Sequence, residues 1–372
     1  MASDFRAEML GVLMDEYKNS IAISGTHGKT TTTSMVSLIL DNAKTDPTIL
    51  VGGNLAEIGG NVKVGQGEYF VTEACEYMDS FLNLRPKIEI ILNIDSDHLD
   101  YFKDIDHIVN SFDKFAKLVP GEGLIVAYEA NPFVNQVIKN LDNAVTFGLN
   151  ENCTYGGDNV VFNEKGLPAF DVKKEGRLLC RVQLSVPGEH NILNALAAFA
   201  CCHSLGIPTG VIKETLEAYH GTQRRFDIVG TTASGVKIVD DYAHHPAEIA
   251  QSVKSIRDLY QDKKITAIFQ PHLYTRTRDF YQDFADSLSL LDEVILVDIY
   301  PAREAPIPGV TSKLIYDNLR PGIEKSMCKK EDILNILKDK NIEVLITLGA
   351  GDIDNYVPEI KELLETKKIK NE

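Results

Sequence analysis

The run Ile21-Ala-Ile-Ser-Gly25 passes directly into Thr26-His27-Gly28-Lys29-Thr30-Thr31 and then into an amphipathic stretch over 29–41. A buried strand that turns within a few residues into a helix leaves the helix N-terminus and several backbone N–H groups facing one side, which is a ready anion site. Lysine and threonine at the first helical positions add a cation for the β- and γ-phosphates of a nucleotide and a hydroxyl for Mg²⁺. The spacing departs from the general G-x-x-x-x-G-K-[ST] loop, because Ile23 stands where the first glycine belongs and the glycine is Gly25. Phosphate binding through Gly25, Thr26, His27, Gly28, Lys29, Thr30 and Thr31 is therefore expected, in a chain built from strand–loop–helix units.

Further apolar runs at 48–53, 69–74, 88–94 and 123–128 alternate with amphipathic segments such as 106–118. Alternation of that kind predicts an α/β fold with a largely parallel sheet and helices on its faces. Residues 151–186 change to a two-residue period around EKG and KKEG turns, predicting a small antiparallel subsheet at the edge of that domain. A long helix at 189–205 ends at Gly206 and Pro208. A second α/β series then begins, with strands at 236–241, 265–270, 293–298 and 343–348 and helices at 246–259, 277–290, 330–338 and 354–366. At 372 residues the chain exceeds one ordinary core. The expected division is a phosphate-loop α/β domain, 1–221, and a C-terminal Rossmann-like α/β domain, 222–372.

The formal charge of −16 argues against nucleic acid, whose binding is driven by Lys and Arg meeting phosphates. No apolar run is long enough for a membrane helix, and the first residues lack the basic-then-apolar layout of a signal peptide. The six cysteines show no C-x-x-C spacing and read as thiols of a reducing cytoplasm.

Several strand ends carry polar clusters. Glu73 closes the strand at 69–74, where ligands of open α/β sheets gather; it reads as a Mg²⁺ ligand opposite Thr30 or as a solvated acid. Asp95, Asp97, His98 and Asp100 crowd the end of the next strand, and such a cluster repels itself unless a cation is near. His190, Asn191 and Asn194 open the long helix, where they meet a ligand or cap the helix. Arg224 and Arg225 form a solvated pair or a phosphate clamp. In the second domain Asp240-Asp241-Tyr242-Ala-His244-His245 and His272 with Arg276 and Arg278 follow strands; basic groups there suit an anionic substrate.

Taken together, GTHGKTTTT, EACEYMDSF, LNIDSDHLDYF, PGEHNILNALAA, RRF, DDYAHHPAE, QPHLYTRTRDF, DIYPAREAPIPGVTS and LGAGDI resemble the Mur ligase family, ATP-dependent amide-forming enzymes of peptidoglycan precursor synthesis. That family's phosphate loop reads G-T-x-G-K-[ST], which accounts for the spacing. The resemblance spans residues 5–366 and implies ATP and Mg²⁺ as cofactors. It favours UDP-N-acetylmuramate and L-alanine as substrates over reattachment of a recycled tripeptide, in a cytoplasmic monomer or homodimer.

By the same resemblance Lys29 and Thr30 bind phosphates and the first Mg²⁺, Glu73 completes that metal, and His98 holds the second. Asn191 and Asn194, with His190 beside them, contact adenine; Arg225 meets the ATP phosphates and Asp241 the ribose. Tyr242, His244, His272 and Arg276 hold the acceptor end, and Lys29, Glu73, His98 and His244 form the catalytic set. Two departures stand out. The family carries an N-terminal Rossmann-like domain for the uridine nucleotide with no counterpart here, so the chain reads as a truncated form. Leu273 stands where many relatives have Arg.

Overall fold

The apolar runs of the first half become the interior of one large sheet. The computed structural model describes residues 2–96, 101–150, 152–164 and 166–366 and divides into two units, residues 1–222 and 223–372. The first unit runs α1 (Ala2–Asp15), β1 (Asn19–Ser24), α2 (Lys29–Asn42), β2 (Thr48–Leu55), β3 (Gly60–Lys63), β4 (Tyr69–Glu73), β5 (Ile88–Ile91), α3 (Ile105–Ala116), β6 (Leu124–Tyr128), α4 (Pro132–Ile138), β7 (Ala144–Gly148), β8 (Tyr155–Phe162), β9 (Pro168–Lys174), β10 (Arg177–Gln183), α5 (Glu189–Ser204) and α6 (Thr209–Ala218). Its ten strands are ordered β10-β9-β8-β7-β6-β5-β1-β4-β2-β3.

From β2 to β8 the neighbours pair in parallel, with antiparallel pairs only at the two margins. Ile21, Ala22 and Ile23 are fully buried, as a strand covered on both faces requires. The antiparallel margin β8–β10 carries the two-residue period, and its last hairpin turns at Glu175 and Gly176 with φ of 48° and 79°. Positive φ at both central residues is what a tight right-twisted hairpin needs. Asp104 caps α3 by accepting the His107 N–H at 2.9 Å, and Asn131 caps α4 ahead of Pro132. Both signals account for helix starts at those points.

Among the described residues of this sheet's strands, one acidic side chain lies buried. Glu89, on β5, is fully buried and sits beside Ser24 at the end of β1, whose Oγ is 2.9 Å from Glu89 Oε1 and 3.0 Å from the Ile90 carbonyl. One hydroxyl proton serves only one acceptor. A protonated Glu89 donates to Ser24, which then donates to Ile90. Burial pushes the carboxyl up to about 8, the Ser24 contact opposing it only in part. The folded chain therefore holds a proton that the unfolded chain releases near the ordinary carboxyl value. Stability falls by about 1.4 kcal/mol per pH unit across that window and levels off above about pH 8. Glu89→Gln is expected to remove this slope. Thermal unfolding at about pH 6 and about pH 8 checks it, because the wild type then loses more melting temperature than the variant.

The second unit runs β11 (Asp227–Thr231), β12 (Lys237–Asp241), α7 (Pro246–Leu259), β13 (Ile265–Phe269), α8 (Tyr274–Leu288), β14 (Glu293–Leu296), α9 (Lys313–Asn318), β15 (Glu324–Met327), α10 (Ile333–Lys338), β16 (Val344–Leu348) and α11 (Val357–Thr366). Its six strands are ordered β11-β12-β16-β13-β14-β15, parallel except at β11. The chain passes from β12 to β13 across the place later filled by β16, and in open α/β sheets such crossovers place ligand sites at the carboxyl ends of the strands. Helix α8 begins at Tyr274 rather than 277, because the turn at Leu273 already directs the chain into it. Among the described residues no helix is long and apolar enough to cross a membrane.

Candidate active site

The phosphate loop leaves β1 at the middle of the large sheet, between β4 and β5. Asn93, just past β5, shapes it from both sides: its Oδ1 accepts the His27 N–H at 2.8 Å and its Nδ2 donates to the His27 carbonyl at 3.0 Å. Thr26 is tied in the same way, its N–H reaching the Asn93 carbonyl and its Oγ1 accepting the Asp95 N–H at 2.9 Å. Gly28 is the residue before α2 and has φ of 85°, a conformation glycine adopts without strain. A Cβ there would lie 2.6 Å from Asn194 Oδ1.

The two asparagines of α5 do their visible work here. Asn194 accepts from Thr32 Oγ1 at 3.3 Å and donates to Asn191 at 3.1 Å, and Asn191 donates to the Pro187 carbonyl at 2.6 Å. Both are buried and brace the loop against α5, with His190 half-buried beside them.

Lys29 and Thr30 open α2. Thr30 Oγ1 lies 3.1 Å from Glu73 Oε2, at the end of β4, and Glu73 Oε1 accepts the Gly52 N–H at 2.6 Å. A hydroxyl and a carboxylate set side by side are hard oxygen donors of the kind Mg²⁺ takes. Thr31 is half-buried on the same first turn. Lys29 Nζ meets the Glu76 carboxylate at 3.0 and 3.2 Å, the Thr26 carbonyl at 3.1 Å, and the Gly25 carbonyl. Burial pulls the lysine's pKa down, yet Glu76, Cys75 and Glu73 together outweigh it and the net direction is upward. Glu76 was not singled out in the sequence; its signal is the second acid of EACE, three residues after Glu73. His98, with Asp97 and Asp100, lies outside the described residues.

In the second unit Asp241 ends β12, buried. Its Oδ1 accepts the Ala243 N–H at 3.3 Å and its other oxygen the Ser252 hydroxyl. Burial pushes this carboxyl up to about 6, against the pull of Ser252 and Arg225. Tyr242 lies between two guanidinium groups, Arg224 at 4.9 Å and Arg225 at 4.8 Å from its ring centre. The arginines divide the labour. Arg224 reaches the carbonyls of Gly349 and Gly351 at 3.0 and 3.1 Å and Asp354 at 3.2 Å, so it holds the loop after β16. Arg225 stands half-buried beside Tyr242.

A row of rings continues from Tyr242 through His244 and His272 to Tyr300, with centres 5.3, 5.7 and 5.7 Å apart. His244 is oriented by the Tyr242 carbonyl at 3.0 Å and by Glu248 at 3.3 Å. His272 Nδ1 faces buried Arg276 at 3.5 Å. Burial, with His244, Arg276 and Arg303 nearby, pushes the His272 imidazole down to about 3, so it is neutral near pH 7. His245 does something else: it caps α7. Leu273 is buried with φ of 72° and bonds the Tyr300 carbonyl through its N–H at 3.0 Å, so its side chain packs inward.

A nucleotide loop at a sheet's switch point, in one chain with a second α/β unit whose strand ends gather histidine, arginine and a buried aspartate, defines a nucleotide-dependent group-transfer enzyme. Residues 23–202 match the Mur ligase middle domain, and residues 224–351 match the Mur ligase, glutamate ligase domain. A UDP-N-acetylmuramate–L-alanine ligase of Caldanaerobacter subterraneus subsp. tengcongensis is 48% identical over 368 residues, covering 98% of this chain and 79% of the relative. The same-named ligase of Clostridium tetani is 47% identical, covering 94% and 77%. The crystal structure of UDP-N-acetylmuramate-alanine ligase from Thermotoga maritima superposes with a TM-score of 0.81 at 30% identity, over 97% of this chain and 78% of that one. The chain belongs to the Mur ligase family.

Proposed function

We propose that the chain is an ATP-dependent carboxylate–amine ligase that joins L-alanine to UDP-N-acetylmuramate. The observation that carries the reading is the arrangement of Lys29, Thr30 and Glu73 at the phosphate loop, in a chain 48% identical to a ligase so named. In the first step the lactyl carboxylate attacks the γ-phosphorus of ATP, giving an acyl-phosphate and ADP. In the second the amine of L-alanine attacks the acyl carbon, and inorganic phosphate leaves from the tetrahedral intermediate.

Lys29 and the loop N–H groups bind the phosphates, and the Asn93 and Asn194 contacts keep the loop in shape for them. Thr30 and Glu73 would hold Mg²⁺, which would supply positive charge at the transferring phosphoryl group. Arg225 meets phosphate charge and Asp241 accepts from the ribose hydroxyls. His272, unable to hold a proton near neutral pH, accepts a hydrogen bond at the acceptor end, and Arg276 beside it pairs with the amino acid carboxylate.

Phosphate release from Mg·ATP and UDP-N-acetylmuramate, with and without L-alanine, tests this. Alanine-dependent release is the expected result. Release that follows a tripeptide instead of alanine would transfer the reading to the recycling ligase. A non-hydrolysable ATP analogue titrated into the same sample separates binding from turnover: tight binding with no release in any arm would leave an ATP-binding unit without ligase activity.

A further inference from the structure

The phosphate-loop lysine, as the structure holds it, is not presented to a phosphate. A lysine ammonium has three N–H donors. Those of Lys29 face the carbonyls of Gly25 and Thr26, which belong to its own loop, and the carboxylate of Glu76. The side chain is folded back, with both oxygens of a buried carboxylate at 3.0 and 3.2 Å from Nζ. Glu76 follows three residues after Glu73, the last residue of β4, so the acid opposite Thr30 and the acid opposite Lys29 hang from the end of one strand. The chain beyond Glu76 is fixed where Asp79 accepts the Tyr101 hydroxyl at 2.7 Å and the Ser111 hydroxyl.

We propose that Glu76 is a resident counter-anion that occupies Lys29 until the nucleotide's phosphates displace it. This rests on the assignment of the loop to nucleotide binding and adds a competitor to it. A carboxylate this far out of water does not leave its ammonium unless another anion takes its place. A triphosphate offers that anion, and its own charge repels Glu76 from the same spot. Glu76 is thus a positioning residue: it holds the loop lysine in one folded-back geometry when no phosphate is present, at the cost of nucleotide affinity.

The experiment is calorimetric titration of ADP and of a non-hydrolysable ATP analogue into the wild-type chain and into Glu76→Gln, each with Mg²⁺ and with EDTA. Glutamine keeps the shape and removes the charge, and thermal unfolding of the free variant confirms that it is folded. The expected result is binding about tenfold tighter in Glu76→Gln, with and without Mg²⁺. A residue that merely supports the fold would weaken binding when changed. Unchanged or weaker binding in the variant, while the wild type binds, overturns the inference and leaves the nucleotide assignment standing. Tighter binding in EDTA but weaker binding with Mg²⁺ also overturns it, by making Glu76 part of the metal site. No binding by either protein removes the nucleotide assignment and the inference with it.

Discussion

Lys29→Ala is expected to reduce ATP-dependent ligation by at least about a thousandfold, because it deletes the cation at the transferring phosphate. The same change carries a second effect. Sequence alone supports a clean loss of activity in a stable protein, whereas the structure places the Glu76 carboxylate 3.0 Å from Nζ with its side chain 3% exposed. Taking one partner from a buried ion pair costs about 3–5 kcal/mol. Lys29→Ala should therefore be inactive and visibly less stable, whereas Lys29→Met with Glu76→Gln should be inactive with most of the stability restored. Melting curves and phosphate release on both variants separate the two effects. Near wild-type turnover in either would remove Lys29 from the chemistry.

Gly28→Ala is expected to lose nucleotide binding and about 2–4 kcal/mol of stability. Two separate costs add. The backbone at this position has φ of 85°, which an L side chain adopts only under strain, and the new methyl would lie 2.6 Å from Asn194 Oδ1 and 3.3 Å from Leu92 Cδ1. A double-mutant cycle with Asn194→Ala divides them. Truncating Asn194 relieves the clash but not the backbone strain, so the pair should couple by about 1–2 kcal/mol while nucleotide binding stays impaired. Additive costs would mean that the asparagine yields and the strain alone matters.

The alternating architecture was readable because parallel strands covered on both faces become largely apolar runs, as at Ile21–Ile23, and at 88–91 and 344–348 with Glu89 and Thr347 as the polar members. Among the elements left unread are the edge strands β3, β11 and β15, whose residues are half-buried or exposed, and short helices such as α4 and α9, which bury only one or two side chains and are too short to show a period. The place of the phosphate loop between β1 and α2 was legible because a strand, a glycine–lysine turn and a helix leave a local pattern, whereas the strand-end position of Glu73 left two readings open and only the family resemblance chose between them. Glu76, Asn93 and Ser252 were not legible, because each acts through hydrogen bonds or an ion pair to a residue at least eleven positions away, which leaves no local period. The arginine pair shows the limit most clearly: the two residues are neighbours of one chemical type, yet only the backbone turn at Arg224, with φ of 61°, sends it to the loop after β16 and leaves Arg225 beside Tyr242.

The bond between Thr32 and Asn194 spans 162 positions of chain. Strand β1 in turn pairs only with strands that begin at Tyr69 and Ile88. A chain emerging from the ribosome thus presents the phosphate-loop residues well before their brace, which arrives only with α5. Until then the loop has neither its sheet neighbours in full nor the helix that holds it, and closing contacts of such long range is slow. Nucleotide competence should accordingly be among the last properties this unit acquires as it folds, and ATP in the medium should act on the finished unit rather than guide its assembly.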